Sequence, residues 1–174
     1  MLLSIMQVVK YILLIFIFGL STGIGMLISK SYENRVLELK EFKNILNIMK
    51  TKIKFTYEPL AEIFKQISKD NETEIEKIFG QMANQITYYH TKDVWENCIQ
   101  NSDISIKQED KDVLKKLGKL LGQTDVEGQI SEIEMTKNFL DIQIEQAEEE
   151  KKKNQKMYKT LGVVAGLVFV IILF

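Results

Sequence analysis

The sequence contains few of the residues that most often carry chemistry or interrupt helices. Its 174 residues include one cysteine, Cys98, one histidine, His90, and one proline, Pro59. A single cysteine excludes a disulfide within the chain, and a solitary histidine without cysteine or acidic partners at ligand spacing is not a metal site. One proline permits long, uninterrupted helices. The formal net charge is −1, so no basic field attracts nucleic acid, and we predict no nucleic-acid partner.

Recognisable catalytic patterns are also missing from the sequence. No GxxxxGK[ST] motif is present, which excludes a P-loop nucleotide site in this chain. Carboxylates are numerous, but they are spread over helix surfaces, where solvation is the default role and no pocket is indicated. We therefore predict no catalytic residue, no metal, no cofactor and no enzyme activity. Hydrolysis by the pure protein would instead favour an unrecognised helical active site.

Two long uncharged stretches lie near the ends of the sequence. Residues 11–28 read YILLIFIFGLSTGIGMLI between Lys10 and Lys30, and about 18 residues is within the range of a membrane-spanning helix. Residues 160–174 read TLGVVAGLVFVIILF, about 22 Å of helix, so a full span needs local thinning of the bilayer and an extended Lys159. The rival interpretations are a cleaved signal peptide and a buried C-terminal helix of a soluble protein.

These stretches divide the chain into three predicted segments: an N-terminal membrane anchor at residues 1–30, a helical domain at 31–159 and a C-terminal anchor at 160–174. The middle segment is basic at both membrane-proximal ends, and lysine and arginine there favour the cytoplasmic side. The basic residues are Lys30, Arg35, Lys151, Lys152, Lys153, Lys156 and Lys159. We predict a cytoplasmic middle domain, with both chain ends across the membrane.

The middle segment shows helical periodicity and no strand alternation. Apolar residues recur at three- and four-residue steps, with turn or capping patterns between the repeats. The predicted helices cover about residues 31–56, 60–67, 73–86, 93–100 and 113–121. A last helix has Thr124 as its predicted N-cap and continues into the apolar tail as one helix of about 45 residues. The predicted fold class is all-α: a small helical bundle of about five to six helices between an N-terminal and a C-terminal transmembrane helix.

Small residues are regularly spaced in both anchors. Gly19 and Gly23 are four residues apart in the first, and Gly162 and Gly166 are four apart in the second. In lipid, this spacing lets two helices approach closely. It predicts helix packing in the membrane, and three partners remain open: the other anchor, a second copy of the chain, or the spans of another protein.

The segment LGKLLGQTDVEGQ, residues 117–129, contains three of the nine glycines and has two interpretations. A glycine-rich loop can hold a phosphate, but acidic residues in the first turn of the next helix would repel an anion. A helix corner explains the same residues as a glycine C-cap followed by a capping box. We favour the corner, and its predicted residues are Gly118, Gly122, Thr124, Asp125, Glu127 and Gly128.

Several of these segments together resemble the stage III sporulation protein AB family. The similar segments are YEPLA at residues 57–61, VWE at 94–96, the LGxxLGxxDxxGQ pattern within 117–129, and YKTLG at 158–162 before the apolar tail. The glycine-rich pattern and the YKTLG ending are the specific parts. Their order and spacing extend the resemblance over nearly the full length of the chain.

The resemblance implies a biological role that composition alone does not. Members of this family occur in endospore-forming bacteria and act with sister proteins in a channel complex that joins mother cell and forespore during engulfment. Their soluble part resembles the cytoplasmic domain of the type II secretion and type IV pilus inner-membrane platform protein. That domain is a helical bundle thought to couple a cytoplasmic ATPase to the membrane assembly. The family has no known catalytic residues.

The leading hypothesis is therefore a non-enzymatic membrane platform or scaffold in the mother-cell membrane facing the forespore. The resemblance implies three kinds of partner: the ATPase stage III sporulation protein AA, other proteins of the same channel complex, and the lipid bilayer. A homo-oligomer is compatible with the sequence. The alternative is an extracytoplasmic helical interaction module released by signal cleavage, which a mature N-terminus lacking residues 1–23 would favour.

Overall fold

The structure, a computed structural model, describes residues 2–173 and the side chains from residue 6 onward. It contains six helices within that range. They are α1 (Leu2–Phe55), α2 (Leu60–Ile67), α3 (Glu74–Gln85), α4 (Thr91–Gln100), α5 (Gln108–Leu117) and α6 (Val126–Leu173). No strand occurs among residues 2–173, so the predicted all-α class with about six helices is confirmed.

The first helix is longer than the periodicity indicated. We expected an apolar anchor followed by a helix at about residues 31–56, whereas α1 continues as one helix from Leu2 to Phe55. Residues 29–34 contain neither proline nor glycine, so nothing between the two predicted segments interrupts the backbone hydrogen bonds. The last helix, α6, is continuous from Val126 to Leu173, as its pattern predicted.

The chain forms two compact units. The hairpin unit contains the described residues up to Asn34 and from Ala147 onward, and the bundle unit contains Arg35–Gln146. These units follow helix packing within the chain. The predicted boundaries at residues 30 and 160 concern the edge of a bilayer, and they stay a prediction.

The bundle unit is built around four aromatic side chains. Phe42 of α1, Phe64 of α2, Phe79 of α3 and Trp95 of α4 are each at most 1% exposed, and their contacting rings have centroids 5.4 to 6.4 Å apart. The indole Nε1 of Trp95 donates a hydrogen bond to the carbonyl of Leu114 at 2.7 Å, which ties α4 to α5. Because each ring comes from a different helix, packing between helices is the main source of stability in this unit.

In the hairpin unit, the two helical segments run antiparallel. The contacts run from Phe18 against Gly166, through Gly25 against Gly162, to Glu33 beside the ammonium of Lys151. Both α1 and α6 are long and apolar enough to cross a membrane, and their most apolar 18-residue windows are only 17% and 11% buried. This exposure disfavours the core helix of a soluble protein, because such a helix would be mostly covered.

Candidate functional site

Glycines in the hairpin unit create a very close approach between two helix backbones. A Cβ on Gly25 would lie 2.6 Å from a carbonyl oxygen of α6 and 2.8 Å from the Cα of Gly162. The hydroxyl of Ser21 donates a hydrogen bond to the carbonyl of Gly162 at 2.8 Å. A Cβ on Gly166 would lie 2.9 Å from the ring of Phe18. At positions 25 and 162 only a residue without a side chain fits, and such residues are what let helices in lipid approach closely.

The four glycines predicted to pack in the membrane differ in whether they contact the other helix of the hairpin unit. Gly162 and Gly166 lie in the hairpin contact, whereas a Cβ on Gly19 or Gly23 would meet nothing within 4 Å. The sequence pattern missed Gly25 because that residue lies two positions after Gly23 and outside the four-residue spacing. Packing of Gly19 and Gly23 against another chain stays a prediction.

The corner at residues 117–129 connects α5 to α6. Helix α5 ends at Leu117, and the backbone of Gly118 then passes so close to Trp95 that a Cβ would lie 2.5 Å from the indole Cδ1. Gly122 has a φ of +71°, in the left-handed region that favours glycine. Gly118 thus permits the backbone to pass close to Trp95, and Gly122 permits the chain to change direction before α6.

Side chains complete the corner at the start of α6. Asp125 precedes the helix, and its Oδ1 accepts a hydrogen bond from the amide of Gly128 at 2.9 Å, so the N-cap lies one residue after the predicted Thr124. Gln129 closes the turn. Its Oε1 accepts from the amide of Gly122 at 3.1 Å, and its Nε2 donates to the carbonyl of Thr124 at 3.0 Å.

An anion at this corner would meet two exposed carboxylates. Asp125 and Glu127 both lie at the N-terminal end of α6. The amides of Gly122 and Gly128 already donate to side chains, whereas a phosphate site requires convergent amides that are free. The geometry therefore favours a structural corner over an anion site.

Replacing Gly122 with valine should destabilise the bundle unit by about 1–3 kcal/mol, because a β-branched residue is strained at positive φ. The nearest side-chain atom to an added Cβ, on Leu60, lies 3.3 Å away, so backbone strain contributes more than a clash. Gly122→Asn is the control, since asparagine tolerates this region better. Thermal melts followed by the fluorescence of Trp95, the only tryptophan, would measure both variants. Equal melting temperatures for Gly122→Val and the wild type would contradict this account.

A buried ion pair joins three helices of the bundle unit. The Nε of Arg35 donates to Asp110 Oδ2 at 2.8 Å, and its Nη2 donates to Asp110 Oδ1 at 3.0 Å. The two residues are 3% and 0% exposed. Asp110 Oδ2 also accepts from the amide of Lys107 at 2.8 Å, and Arg35 Nη2 lies 3.4 Å from the side-chain oxygen of Gln143. The pair thus fixes α1, α5 and α6 together.

The sequence alone did not indicate this pair. The sequence places Arg35 among the basic residues near the membrane and Asp110 in the connection between two predicted helices. The two residues are 75 positions apart, and no local pattern links residues at that distance. Because the guanidinium of Arg35 is buried and bound to a carboxylate, this residue contributes less to the positive-inside argument than the exposed Lys30.

Glu38 of α1 is hydrogen-bonded to the loop that precedes α5. Its carboxylate accepts a hydrogen bond from the amide of Ser105 at 2.6 Å. Burial raises the pKa of Glu38 above its usual value, because removal from water disfavours the charged form. The hydrogen bond from Ser105 acts in the opposite direction and is the smaller effect.

One end of the bundle unit displays apolar side chains to solvent. They come from the last residue of α1 and from the three segments that precede α2, α4 and α6, and we call them the aromatic end. Its members are Phe55, Tyr57, Tyr88, Tyr89 and Leu120, which are between 37% and 81% exposed. Gly122 lies close to the starts of α2 and α4, because a Cβ added there would lie 3.3 Å from the side chain of Leu60 and 3.6 Å from that of Thr91.

Tyr57 is the most unusual member of the aromatic end. It is 74% exposed and has a φ of +54°, a region that bulky residues rarely adopt. Strained, exposed residues are found more often at binding sites than elsewhere. A sequence signal did exist, since Tyr57 precedes the Glu58-Pro59 bend and Tyr88-Tyr89 stands in an otherwise polar turn, but periodicity alone assigned both segments to connections.

Among the side chains that the structure describes, the usual catalytic residue types are not brought together. Cys98 is buried, and burial raises the pKa of its thiol, so the reactive thiolate is disfavoured. His90 is exposed at the N-terminal end of α4. Within residues 2–173, no group of three or more histidine, cysteine or acidic residues is arranged to hold a metal ion.

Comparison with known proteins gives matches over most of the chain. A family model described as stage III sporulation protein AB matches residues 10–174. Stage III sporulation protein AB of Bacillus subtilis (strain 168) is 27% identical over 163 residues, which cover 91% of this chain and 95% of that protein. A solved structure of stage III sporulation protein AB has a TM-score of 0.64 at 22% identity, covering 69% of this chain and 98% of that one, so this likeness concerns the fold.

Proposed function

We propose, from the premise that this chain belongs to the stage III sporulation protein AB family, that it is a non-enzymatic membrane platform. In this proposal it serves the channel complex between mother cell and forespore. Membership of the family assigns the chain to sporulation. The platform role, the ATPase partner and the location in the mother-cell membrane are the proposed parts.

One observation carries the platform role: apolar, lipid-suited helices and a docking surface belong to the same chain. The hairpin unit has two helices able to cross a membrane, and the bundle unit has an aromatic end with five exposed apolar side chains. Tyrosine is enriched at protein interfaces because it combines a large apolar face with a polar hydroxyl. We infer that the aromatic end binds the ATPase stage III sporulation protein AA.

The hairpin contacts support a retained N-terminal anchor. Ser21 and Gly25 lie against Gly162, and Phe18 lies against Gly166. Signal cleavage after residue 23 would remove Phe18 and Ser21 and expose the facing backbone of α6 in the apolar phase. These contacts therefore agree better with a retained N-terminal anchor than with an extracytoplasmic module released by signal cleavage. The predicted orientation, with a cytoplasmic bundle unit, is part of the same proposal.

The docking proposal predicts a specific loss of binding. Tyr57→Ser combined with Tyr88→Ser should weaken binding of purified stage III sporulation protein AA to the full chain in nanodiscs by about tenfold or more, as expected for interface aromatics. The matched control is Leu37→Ser, which removes a side chain 58% exposed on α1 outside the aromatic end. Biolayer interferometry would measure affinity, and Trp95 fluorescence would verify folding.

Two results would count against the proposal. Equal affinities for the tyrosine double variant and the wild type would exclude the aromatic end, and no binding by the wild type would exclude this ATPase. Orientation has its own test. Lys40→Cys should resist an impermeant thiol reagent in intact cells, and labelling there would place the bundle unit on the outer side.

A further inference from the structure

The polar end of the hairpin unit contains more lysine than its own carboxylates can neutralise. No aspartate or glutamate occurs in residues 1–32 or 151–174, whereas the second range contains five lysines. Glu33, the first acidic residue of α1, already forms an ion pair with Lys151 at 3.4 Å. Most of the remaining positive charge is therefore balanced by anions from outside the chain.

Three of these lysines form one exposed side of α6. Lys152, Lys156 and Lys159 are four and three residues apart, so they lie on the same side of the helix, and we call them the lysine face. Among the described side chains, none of the three has an ion pair. Tyr158, next to Lys159, stacks on Tyr32 with ring centroids 5.8 Å apart. The lysine face therefore lies beside the contact with α1 and not within it.

The register of the hairpin unit sets the depth of the lysine face. A Cβ on Gly25 would lie 2.6 Å from the carbonyl oxygen of Tyr158, so Lys159 lies level with the uncharged stretch of α1. Gly25 comes five residues before Lys30, which is about 7 Å along the helix. A charge at that depth is costly unless its side chain extends to the headgroup layer. Lys159 therefore lies where an extended lysine meets lipid phosphates.

Helix direction brings the lysine ammonium groups to one level. Side chains tilt towards the N-terminal end of their own helix. The apolar stretch of α6 follows the lysine face, so Lys156 and Lys159 extend away from the apolar layer. The apolar stretch of α1 precedes Lys30, so this exposed side chain extends towards that layer from the polar side. Both directions end at the boundary between acyl chains and headgroups.

We propose that the lysine face binds the headgroups of anionic phospholipids. This inference rests on the membrane part of the proposed function and goes beyond it, because it specifies the charge of the lipid and the residues that bind it. Each lysine close to an anionic membrane surface strengthens attraction, whereas a zwitterionic lipid carries no net charge. Glu148, four residues before Lys152 on the same side of α6, repels anions. The attraction is therefore limited to the turns next to the apolar stretch.

Retention of lipid by the full chain tests the proposal. The chain in detergent is mixed with equal amounts of phosphatidylglycerol and phosphatidylcholine that have identical acyl chains. Lipids that stay bound after gel filtration are counted by mass spectrometry. The wild type should retain phosphatidylglycerol over phosphatidylcholine by about tenfold. Glutamine at positions 152, 156 and 159 should bring the ratio close to one, whereas arginine at the same three positions should preserve it.

The matched control removes the same charge from the bundle unit. Lys65→Gln, Lys92→Gln and Lys119→Gln change exposed lysines there and should leave the ratio unchanged. Inorganic phosphate in large excess distinguishes a lipid site from a phosphate site, because acyl chains in the same micelle hold the headgroup close to the lysines. Equal retention of both lipids by the wild type, equal ratios for the two glutamine triples, or displacement by phosphate would each overturn the proposal.

Extraction with alkaline carbonate separates this inference from the proposed function. The wild type and the glutamine triple of the lysine face should both stay in the membrane fraction, because the substitutions leave the two uncharged stretches intact. Release of the wild type would contradict the membrane platform and this inference together. A wild type that stays in the membrane but retains both lipids equally would contradict this inference alone.

Discussion

Asp110→Ala should lower the free energy of unfolding of the bundle unit by about 3–5 kcal/mol, because Arg35 would remain buried without its counter-ion. The guanidinium is 3% exposed as part of Arg35 and cannot regain water without moving α1. The variant also removes the acceptor of the Lys107 amide at the start of α5. This second loss contributes about 1 kcal/mol, which is typical of a helix cap.

The measurement uses the full chain in detergent. Urea unfolding followed by Trp95 fluorescence reports on the bundle unit, because Trp95 is the only tryptophan and is fully buried in the aromatic cluster. Asp112→Ala is the matched control, since it removes an exposed carboxylate from the same helix, where the ion pair with Lys115 is at the surface. Similar midpoints for the two variants would show that the buried pair contributes no more than the surface pair.

A double variant separates the cost of an unpaired charge from the net value of the pair. Arg35→Met with Asp110→Leu replaces both partners by apolar side chains, and such replacements are often neutral or stabilising. We expect it to recover most of the stability lost in Asp110→Ala. If the double variant were as unstable as the single one, the loss would come from packing or capping and not from the buried charge.

Gly25→Leu should disrupt packing of the two helical segments in the hairpin unit. Its Cβ would lie 2.6 and 2.8 Å from backbone atoms of α6, and backbone cannot rotate away as a flexible side chain can. Overpacking of a close contact costs about 1–3 kcal/mol, and a clash with backbone lies at the upper end of that range. The hydrogen bond from Ser21 to Gly162 would be lost when the segments separate.

Gly19→Leu is the matched control, because it adds the same side chain to the same helix where nothing lies within 4 Å. Crosslinking between Ile15→Cys and Leu167→Cys, which line one apolar groove of the hairpin unit, would measure packing in liposomes. We expect a strong decrease with Gly25→Leu and none with Gly19→Leu. Equal efficiency in all three chains would show that the glycine contact is dispensable. A decrease with Gly19→Leu would instead indicate a contact with a second chain.

Features of the fold were predictable where the sequence signal lies within one helix or at its ends. Capping at Thr73 and Glu76, the break at Pro59 and the long α6 are local features, and the structure contains each of them. Fold class and helix order follow from such signals, because each depends on residues within a few turns of one another. The change at Asp125, where α6 begins one residue after the predicted cap, shows the usual uncertainty of helix ends.

The contacts between helices were not predictable from those local signals. Arg35 with Asp110 and Gly25 with Gly162 join residues that are far apart in the chain, and a single sequence contains no pattern for such pairs. The aromatic end and the exposed apolar side of α6 depend on which side of a helix the core covers. Periodicity finds an apolar face but cannot divide it, as Ile133 and Met135 show with 0% and 50% exposure.

The Arg35–Asp110 pair restricts how α1 and α5 can align along their axes. Aliphatic and aromatic side chains accept several alignments of two helices with small losses, whereas a two-point contact between guanidinium and carboxylate has one geometry. A slip of α1 by one turn, about 5.4 Å, would leave both charges buried and unpaired. We infer that the pair selects a single axial register of α1 against α5. The Arg35→Met and Asp110→Leu double variant, although stable, should then show more than one indole N–H signal from Trp95 in NMR spectra, and one sharp signal would show that apolar packing alone sets the register.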